Sequence, residues 1–573
     1  MDHFLLFFTL SVLMLGLCLL IAFRQRQKPH TFFTPYRLAM MGIFVGAFLL
    51  FVPYYLSFFR EEPVAELCAK TVLMAAHHAI RLFVVGAEYA EIYEYAMARG
   101  AIGAAYSLYA SFLFVASPLM TFGFILSMFE GFYARVRILF SRRREVYLFS
   151  CLNEQSLHLA RDIRDEDSSR AQILFANVSA ENHTPQQLEE AKELRCICLS
   201  KDILELEAEL PRKTRQVKYF LFDQEESHNV DHALALMRSS AAFSKEIYVL
   251  STQENYLFED LPTPDHIRVF RVDHAHWLAM RTMESLETSL FDHAVMKPDG
   301  SKHISTLVLG LGTFGKEMVR ALSWFTQAEG YRTTIHCVDK DPLAAEKFAH
   351  LYPGYFSDRA AQNHCAIRIC PDVTAGTVSA DKIILQDQDI RYVFVGLGDD
   401  DENIRCAYEL RSLFARHHIH PVIHAVVKDN SKHALLQNRK TYRGLDYDIS
   451  FVGAAEQLYS YEAIFQTEMK QKVVKENTRW ASEDEAAKMS SYSSNYRGGE
   501  AYLLHRRVME MLKVPEMLRP MNEQRRWVQY MYSMGYQYAP PEPGSRRRTD
   551  DLAKVNVNLV PFEQLPEKDK VFY

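Results

Sequence analysis

The sequence predicts a helical membrane domain, then α/β domains with parallel sheets, and a small, mainly helical C-terminal domain. Three observations predict this architecture. Long apolar runs occur up to about residue 140, apolar strand-like segments alternate with helical ones in the middle of the chain, and that alternation stops near residue 468.

The N-terminal domain, residues 1–144, is predicted to cross a lipid bilayer three times. An apolar helix needs about 20 residues to span hydrocarbon, and residues 4–23, 38–59 and 101–129 meet that length. Cytoplasmic loops carry an excess of Lys and Arg, and here these residues cluster after the first span and after the third. We therefore expect a multi-pass protein whose N-terminus is outside and whose later domains are in the cytoplasm.

The segment between the second and third spans, residues 64–99, is external or re-entrant in this topology. Glu88, Glu91 and Glu94 recur in it at helical spacing among tyrosines. Carboxylates beside a membrane can line a cation path. They also occur on amphipathic helices that lie on the membrane surface. We favour the surface helix, and the three glutamates are the candidate ion-path residues of the other interpretation.

Charge and motif content exclude several classes of function. The chain of 573 residues has a net charge of −6, and residues 1–144 contain 13 basic and 8 acidic side chains, so the rest carries −11. A surface that acidic is poorly suited to nucleic-acid phosphates, so no nucleic-acid partner is predicted. The sequence has no P-loop, H-E-x-x-H or G-x-S-x-G motif, and its Cys and His residues form no zinc pattern. We therefore predict neither an enzyme nor a metal site.

A glycine-rich loop in the second half of the soluble region indicates nucleotide binding. Gly310, Gly312 and Gly315 form G-x-G-x-x-G between a strand-like segment and a helical one. These glycines allow a tight turn and a close approach to a pyrophosphate on the helix N-terminus. Asp339 follows the next strand, where a carboxylate accepts hydrogen bonds from ribose hydroxyls. The alternative is a Rossmann-type domain whose glycines only pack the sheet.

The same α/β unit is predicted to occur twice, at residues 145–300 and 301–468. Residues 219–229 and 393–403 each combine a strand, an acidic loop and a final Asn. At nearly the same offset, Asp202 corresponds to Asp372. The first copy has side chains at residues 150–155, where the second has its glycine loop. Because those side chains would obstruct a phosphate, we expect the first copy to be structural.

Residues 146–465 resemble the regulator-of-potassium-conductance domains, also called TrkA-N domains, of ion channels and transporters. The resemblance is stronger in the second copy, which has the glycine loop, Asp339 and an acidic loop beginning at Asp399. It implies paired Rossmann-like lobes that bind a nucleotide or ion and move the membrane part by changing their relative angle. The expected ligand is NAD(H) or another adenine nucleotide, including a cyclic nucleotide. The nucleotide positions are then Gly310, Gly312, Gly315, Asp339, Asp372 and Asp399.

Residues 469–573 resemble the RyR repeat domain, a helical module named for ryanodine receptors and also found in bacterial proteins. Arg526-Trp527 and residues 535–538, 559–562 and 565–566 match it. Gln524 and Ala539 depart from bacterial members, which usually carry His and Gly at these positions.

The aromatic residues of this tail allow two interpretations. Trp527, Tyr536 and Tyr538, with Arg526, suit a pocket that stacks a base and pairs a phosphate. Three aromatics around a helix end are also typical of the core of a small domain, and we favour that second interpretation.

These features predict a ligand-gated homo-oligomer of the bacterial inner membrane, either an ion channel or a membrane-disrupting effector that senses a nucleotide. Bacterial proteins that join such a tail to TrkA-like lobes resemble effectors of nucleotide-signalling defence against phage. The alternative is a membrane-tethered nucleotide-binding scaffold or transport regulator without its own pore.

Overall fold

The structure is a computed structural model that describes most of the chain. The described residues are 2–25, 33–84, 89–140, 145–166, 172–179, 181–211, 214–240, 243–251, 264, 266–357, 364–437, 441–442, 445–446, 448–465, 467–478, 494–540 and 548–570. They form two compact units, one containing the N-terminal helices and the other almost everything from residue 143 onward.

Five helices form the N-terminal unit. They are α1 (Asp2–Gln25), α2 (Phe33–Phe58), α3 (Val64–Phe83), α4 (Ala90–Met97) and α5 (Gly100–Phe140). Among the described residues, three stretches are long and apolar enough to cross a bilayer: His3–Ile21, Ala39–Phe58 and Gly100–Phe122. The three predicted spans fall on these helices, and α5 remains helical beyond the predicted end of the third span.

Small residues and hydroxyl groups bring α1, α2 and α5 together. A Cβ added to Gly42 would lie 2.5 Å from the Cβ of Cys18, so only glycine permits this approach of α2 to α1. The Ser11 hydroxyl donates to the Gly46 carbonyl at 2.6 Å, and the Tyr106 hydroxyl of α5 donates to the Leu50 carbonyl at 2.5 Å. Small residues and interhelical hydrogen bonds of this kind drive helix association in hydrocarbon.

The described parts of residues 64–99, which are 64–84 and 89–99, belong to this helix bundle. α3 and α4 pack against their neighbours α2 and α5. On α3, His78 is buried, and its Nδ1 shares a hydrogen bond with the Tyr55 hydroxyl at 2.8 Å. The predicted external segment is therefore two packed helices.

Two Rossmann-type sheets form the core of the second unit, which confirms the predicted fold class. The first lobe has strand order β3-β2-β1-β4-β5-β6, and the second has β10-β9-β8-β11-β12-β15. The pairing along both orders is parallel, and the antiparallel strand β7 adds to β8. The second sheet begins with β7 at Val295–Met296, slightly before the predicted boundary at residue 301.

The elements of these lobes are as follows. The first lobe contains β1 (Glu145–Phe149), α6 (Glu154–Glu166), β2 (Gln172–Phe175), α7 (Pro185–Glu193), β3 (Ile197–Cys198), α8 (Ile203–Glu209), β4 (Gln216–Leu221), α9 (Glu226–Arg238), β5 (Ser244–Leu250) and β6 (Ile267–Val272), followed by α10 (His274–Leu286) and α11 (Ser289–Asp292). The second contains β7 (Val295–Met296), β8 (Lys302–Leu309), α12 (Thr313–Phe325), β9 (Tyr331–Val338), α13 (Ala344–Leu351), β10 (Cys365–Cys370), α14 (Val378–Ile384), β11 (Ile390–Val395), α15 (Asp400–Arg416), β12 (Val422–Val426), α16 (Asn430–Gln437), the hairpin β13 (Thr441–Tyr442) and β14 (Leu445–Asp446), β15 (Ile449–Val452), α17 (Ala455–Leu458) and α18 (Tyr461–Phe465).

A buried asparagine makes corresponding hydrogen bonds in the two lobes. Asn229 accepts from the amide of Asp223 at 2.8 Å and donates to the Leu250 carbonyl at 3.2 Å. Asn403 accepts from the amide of Leu397 at 2.7 Å and donates to the Val426 carbonyl at 2.9 Å. Asn229 ties the loop after β4 to the end of β5, and Asn403 ties the loop after β11 to the end of β12. The sequence repeat thus reflects the same structural role in both copies.

The two lobes exchange helices. α10 follows the first sheet but packs against α12 of the second lobe, whereas α17 and α18 follow the second sheet and pack against α6 of the first. The Phe465 ring of α18 meets the rings of Phe220 and Tyr248 at centroid distances of 5.9 and 5.2 Å. Each lobe therefore completes the hydrophobic core of the other.

The C-terminal tail packs on the second lobe. It comprises α19 (Thr467–Asn477), α20 (Ser494–Met511), α21 (Arg519–Ser533), the short strands β16 (Gln537–Tyr538), β17 (Thr549–Asp550) and β18 (Val555–Asn556), and α22 (Glu567–Lys570). α21 contacts α12 and the turn at Pro353–Phe356. A Cβ on Gly354 would lie 2.3 Å from the Tyr532 ring, so glycine is required where the turn meets α21.

Candidate functional site

The candidate site is the crevice beyond the C-terminal ends of β8 and β11. These strands are neighbours at the point where the strand order of the second sheet reverses. Ligands of open α/β sheets bind at such a switch point. The loop containing Gly310, Gly312 and Gly315 borders it, as does the loop containing Gly396 and Gly398.

Two of the three predicted glycines are required by the fold itself. Gly310 has φ +86°, and a Cβ there would lie 2.4 Å from the Gly396 carbonyl oxygen. A Cβ on Gly315 would lie 1.7 Å from the Gly310 carbonyl oxygen. The backbone therefore packs tightly at both glycines. This agrees with the alternative interpretation, in which the glycines serve to pack the sheet.

Gly312 differs from the other two glycines. It is exposed at the N-cap of α12, and no atom lies within 4 Å of a Cβ added there. Free N–H groups and the positive end of the helix dipole face outward at such a terminus. Gly312 is therefore the position where an anion can approach the loop.

Asp339, the predicted ribose acceptor, lies against this loop. Its Oδ2 accepts from the amide of Leu311 at 2.5 Å, and its Oδ1 accepts from the amide of Asp341 at 2.7 Å. Each carboxylate oxygen has a second lone pair for a further donor. The carboxylate is therefore fixed in position with acceptor capacity left for a hydroxyl ligand.

The other two predicted acids differ in position and role. Asp372 is exposed after β10, with φ +57°, and the next amide, of Val373, donates to the Asp339 carbonyl at 3.0 Å. Asp399 caps α15 by accepting from the amide of Glu402 at 3.0 Å. The structure thus assigns Asp399 a helix-capping role, whereas the backbone of the Asp372 loop is tied to Asp339.

Two residues near the loop were not predicted from the sequence. Lys428, exposed just after β12, has its Nζ 5.7 Å from the ring centre of Phe314 in the first turn of α12. The His274 ring lies 5.2 Å from the same Phe314 ring, between centroids. Burial lowers the pKa of His274 more than the nearby Asp273 carboxylate raises it, so the imidazole is neutral at pH 7.

The position of Lys428 near the loop could have been predicted from the order of the strands. Residues that follow parallel strands collect at one edge of the sheet, and Lys428 follows β12 as Asp339 follows β9. The Asp400 carboxylate fixes the backbone here by accepting from the amides of Lys428 and Asp429 at 3.0 and 2.9 Å. His274 comes from the other lobe and had no comparable signal.

In the first lobe, side chains close the corresponding loop. The Asn153 amide group donates to the Phe222 carbonyl at 2.8 Å, and Asn153 Oδ1 accepts from the amide of Ser156 at 2.8 Å. Ser150 Oγ accepts from the amide of Phe222 at 3.1 Å. These bonds occupy the positions where a phosphate would approach. They support the prediction that this lobe is structural.

The predicted tail residues are used mainly inside the tail. Arg526 is 2% exposed and binds both carboxylate oxygens of Glu523 at 2.6 and 2.8 Å. Tyr536 is buried, and its hydroxyl donates to Asp551 at 2.9 Å, while Trp527 and Tyr538 are partly buried against the core. This arrangement favours the core interpretation over the base-stacking pocket.

Gln524, which stands where the RyR resemblance expects His, also has a structural role. It is fully buried, and its amide group donates to the carbonyls of Asn558 and Val560 at 2.9 and 2.8 Å. It thereby attaches α21 to the segment that follows β18.

The candidate ion-path residues lie on and before α4. Glu91 and Glu94 are exposed, and Glu91 accepts a hydrogen bond from the Tyr54 hydroxyl of α2 at 2.7 Å. Glu88 lies outside the described residues. Within the described part of the chain, no group of three or more His, Cys, Asp or Glu side chains is arranged to hold a metal ion.

Comparison with known proteins gives distant structural similarity. No family model and no curated protein matches the sequence. Among solved structures, a chain described as "GsuK Channel" is similar with a TM-score of 0.36 and 12% identity, over 74% of this chain and 97% of that chain. A similarity at this level defines neither fold nor function, so the Rossmann assignment rests on strand order and pairing.

Proposed function

We propose that this protein is a nucleotide-responsive membrane effector of bacteria. A nucleotide at the crevice of the second lobe would change the arrangement of the lobes and act on the membrane helices. Residues 141–144 are all that separate the end of α5 from the start of β1, so the first lobe is connected to the membrane unit by a short link. A short link transmits movement better than a long flexible one.

The observation that carries this proposal is the open N-terminus of α12 at Gly312. The tight backbone around Gly310 and Gly315 exposes the first turn of this helix at the crevice. Its amides and dipole suit a phosphate, and the ammonium of Lys428 adds a positive charge nearby. The acceptor oxygens of Asp339 suit a ribose. Together these groups favour an adenine nucleotide, with NAD(H) and cyclic nucleotides as the first ligands to try.

The effect of the nucleotide on the membrane depends on energetic coupling between ligand binding and the conformation of the protein. A ligand changes a two-state equilibrium only through its different affinity for the two states, and a tenfold preference corresponds to about 1.4 kcal/mol. A homo-oligomer around a pore would convert that energy into ion flux or membrane damage. The resemblance of the tail to those of anti-phage effectors supports a defence role and a cyclic nucleotide as trigger.

Substitutions at Gly312 test the ligand site. A side chain there meets no atom within 4 Å, so both Gly312→Ala and Gly312→Asp should fold normally. We expect Gly312→Asp to lose on the order of 100-fold in nucleotide affinity, because its carboxylate repels a phosphate at the helix terminus. Gly312→Ala, the matched control, should bind within a few-fold of wild type. Titration of the full-length protein in detergent with NADH, ATP and a cyclic nucleotide measures this, and thermal unfolding checks the fold.

If the Gly312→Asp variant and wild type had equal nucleotide affinity, the glycine loop would not be the ligand site. Binding lost in both variants would mean that the loop tolerates no side chain, and the charge argument would then be wrong.

Neutralising Glu91 and Glu94 tests the membrane output. We expect the double variant Glu91→Gln, Glu94→Gln to retain ligand-triggered ion flux in vesicles, because we favour a surface location for these exposed carboxylates. The variant Tyr54→Phe removes the partner of Glu91 and serves as a packing control. A strongly reduced cation flux in the glutamate variant alone would place these residues on the path. No flux from wild-type protein that binds nucleotide would favour the scaffold without a pore.

A further inference from the structure

A buried group of charged side chains joins the two lobes and the tail behind the candidate site. The first lobe and α10 contribute to it, as do α12 of the second lobe and α20 of the tail. Its members are Arg271, Asp273, His276, Glu317, Arg320, Arg497 and Glu500. We call this group the junction.

His276 is placed between two carboxylates at the centre of the junction. Its Nδ1 lies 2.7 Å from Glu317 Oε1, and its Nε2 lies 3.0 Å from Glu500 Oε2. An ionised carboxylate can only accept hydrogen bonds, and a neutral imidazole has a single N–H. Both contacts are therefore hydrogen bonds only when the group of three side chains holds one extra proton.

The surrounding charges keep that proton on the histidine side of the Glu317 contact. Arg320 binds Glu317 at 2.6 Å, and Arg271 and Arg497 bind Asp273 at 3.0 and 2.9 Å. Burial opposes ionisation of Glu317, but Arg320 and His276 outweigh it and hold the pKa of this carboxyl well below its usual range. Glu317 is thus a fixed acceptor, and His276 must donate to it.

We propose that the imidazolium of His276 is a proton-dependent clamp that holds the tail against α12 and thereby regulates nucleotide affinity at the glycine loop. This regulatory role rests on the proposed function. Glu317 lies two residues after Gly315 on α12, so a change in its contacts acts on the helix whose N-terminus forms the candidate site. Glu500 connects the same histidine to the tail.

The direction of the pH dependence follows from the contacts of His276. Burial and Arg497 lower its pKa, but the hydrogen bonds to Glu317 and Glu500 outweigh them, so the pKa is raised from the ordinary 6.5. A histidine with a raised pKa stabilises docking fully below the unfolded value and loses that contribution as the pH rises through the folded value. The clamp is therefore fully closed below pH 6.5, the ordinary pKa of histidine, and it opens as the pH rises through the raised pKa.

The other titratable groups around the junction do not loosen the tail in that pH range. Tyr496 and Tyr530 have a raised pKa because they are buried. Among the described histidines near both the tail and the second lobe are His364 and His505. Burial lowers the pKa of His364, and Arg525 of the tail lowers it further. His505 Nε2 lies 2.7 Å from the Gln327 carbonyl. Burial lowers the pKa of His505 to about 3, so it changes charge only in acid. Lys470 on α19 also changes charge in this range, because burial lowers its pKa to about 8. A buried amine with a lowered pKa stabilises the docked state as the pH rises, so its effect has the opposite sign. Alkaline loosening of the tail would thus be specific to His276.

Hydrogen exchange in the full-length protein tests the clamp. After correction for intrinsic rates, wild-type α20 should exchange faster at about pH 9 than at about pH 6, because docking loses the contribution of the imidazolium as the pH rises. In Glu500→Gln, the amide of the new side chain can donate to Nε2 while neutral His276 donates to Glu317. This variant should therefore keep α20 protected at both pH values. A purely structural role for Glu500 would instead give faster exchange at both.

Glu510→Gln is the matched control, because Glu510 lies on the same helix but pairs with Arg506 at the surface. It should keep the wild-type pH profile. A wild-type profile that is flat, or an unchanged pH dependence in Glu500→Gln, would overturn the clamp.

NADH affinity measured at the same two pH values tests the regulatory step. Wild type should show a pH-dependent affinity, and Glu500→Gln should not. A pH-dependent exchange with a constant affinity would refute the link to the glycine loop. No NADH binding at either pH would refute the proposed function with this ligand, while the exchange experiment would still decide whether the clamp exists.

Discussion

Replacing Gly315 with alanine is expected to abolish nucleotide binding and to destabilise the second lobe. The added Cβ would lie 1.7 Å from the Gly310 carbonyl oxygen, which is backbone and has no rotamer through which to move away. Gly310 cannot move away either, because it packs against the backbone of Gly396. A Cβ added to Gly310 would lie 2.4 Å from the Gly396 carbonyl oxygen. Overpacking usually costs about 1–3 kcal/mol, and we expect the upper end of that range here.

Thermal unfolding and NADH titration of the full-length Gly315→Ala protein measure the two effects. Gly312→Ala is the control, since it adds the same methyl group to the same loop where no atom lies within 4 Å. We expect affinity to fall more than 100-fold in Gly315→Ala, because the amides at the helix terminus lose their arrangement. Normal binding by Gly315→Ala would show that the loop relaxes easily and that its tight geometry is unrelated to the ligand.

Lys245→Met should cause the largest loss of stability in the first lobe. Lys245 is 0% exposed, and its ammonium lies 2.6 Å from Glu207 Oε1 and 2.8 Å from the Leu236 carbonyl. Methionine matches the length of the lysine stem but leaves Glu207 as a buried carboxylate without its cation. Breaking a buried pair in this way costs about 3–5 kcal/mol.

The first unfolding transition of the full-length protein in a thermal or denaturant experiment measures this effect. Lys472→Met is the matched control, because Lys472 forms a solvent-exposed pair with Glu468 on α19 and its loss should leave stability nearly unchanged. The double variant Lys245→Met, Glu207→Met should recover much of the loss, since no buried charge remains. Equal stability of Lys245→Met and wild type would mean that the pair contributes nothing to the lobe.

Local patterns explain why several parts of the fold could be predicted. An apolar run of sufficient length indicates a candidate spanning helix by itself, and the structure forms helices at all three predicted runs. A glycine loop between a strand and a helix depends on about ten consecutive residues, so Gly310, Gly312 and Gly315 were identified together. Asn229 and Asn403 were detectable because a repeat is a comparison of the chain with itself.

Other features of the candidate site could not be predicted because their chemistry depends on neighbours that a sequence motif does not identify. Arg526 and Tyr536 are candidate ligand residues, and in the structure Arg526 pairs with Glu523 while the Tyr536 hydroxyl donates to Asp551. Asp399 was assigned to the nucleotide, whereas the adjacent helix α15 uses it as a cap. Composition cannot distinguish an arginine that binds a ligand from one that is paired inside the domain.

The sequence alone determined the kind of molecule: a membrane region of apolar helices, two Rossmann-like lobes with one open glycine loop, and an additional helical tail. Tertiary structure alone decided which groups meet at the site and the junction. Lys428 and His274 reach the glycine loop from different lobes, and His276 meets carboxylates 41 and 224 residues away in the chain. Helix and strand periodicity depends on the nearest residues, but an ion pair or a shared proton depends on the exchange of helices between lobes, which no local pattern specifies.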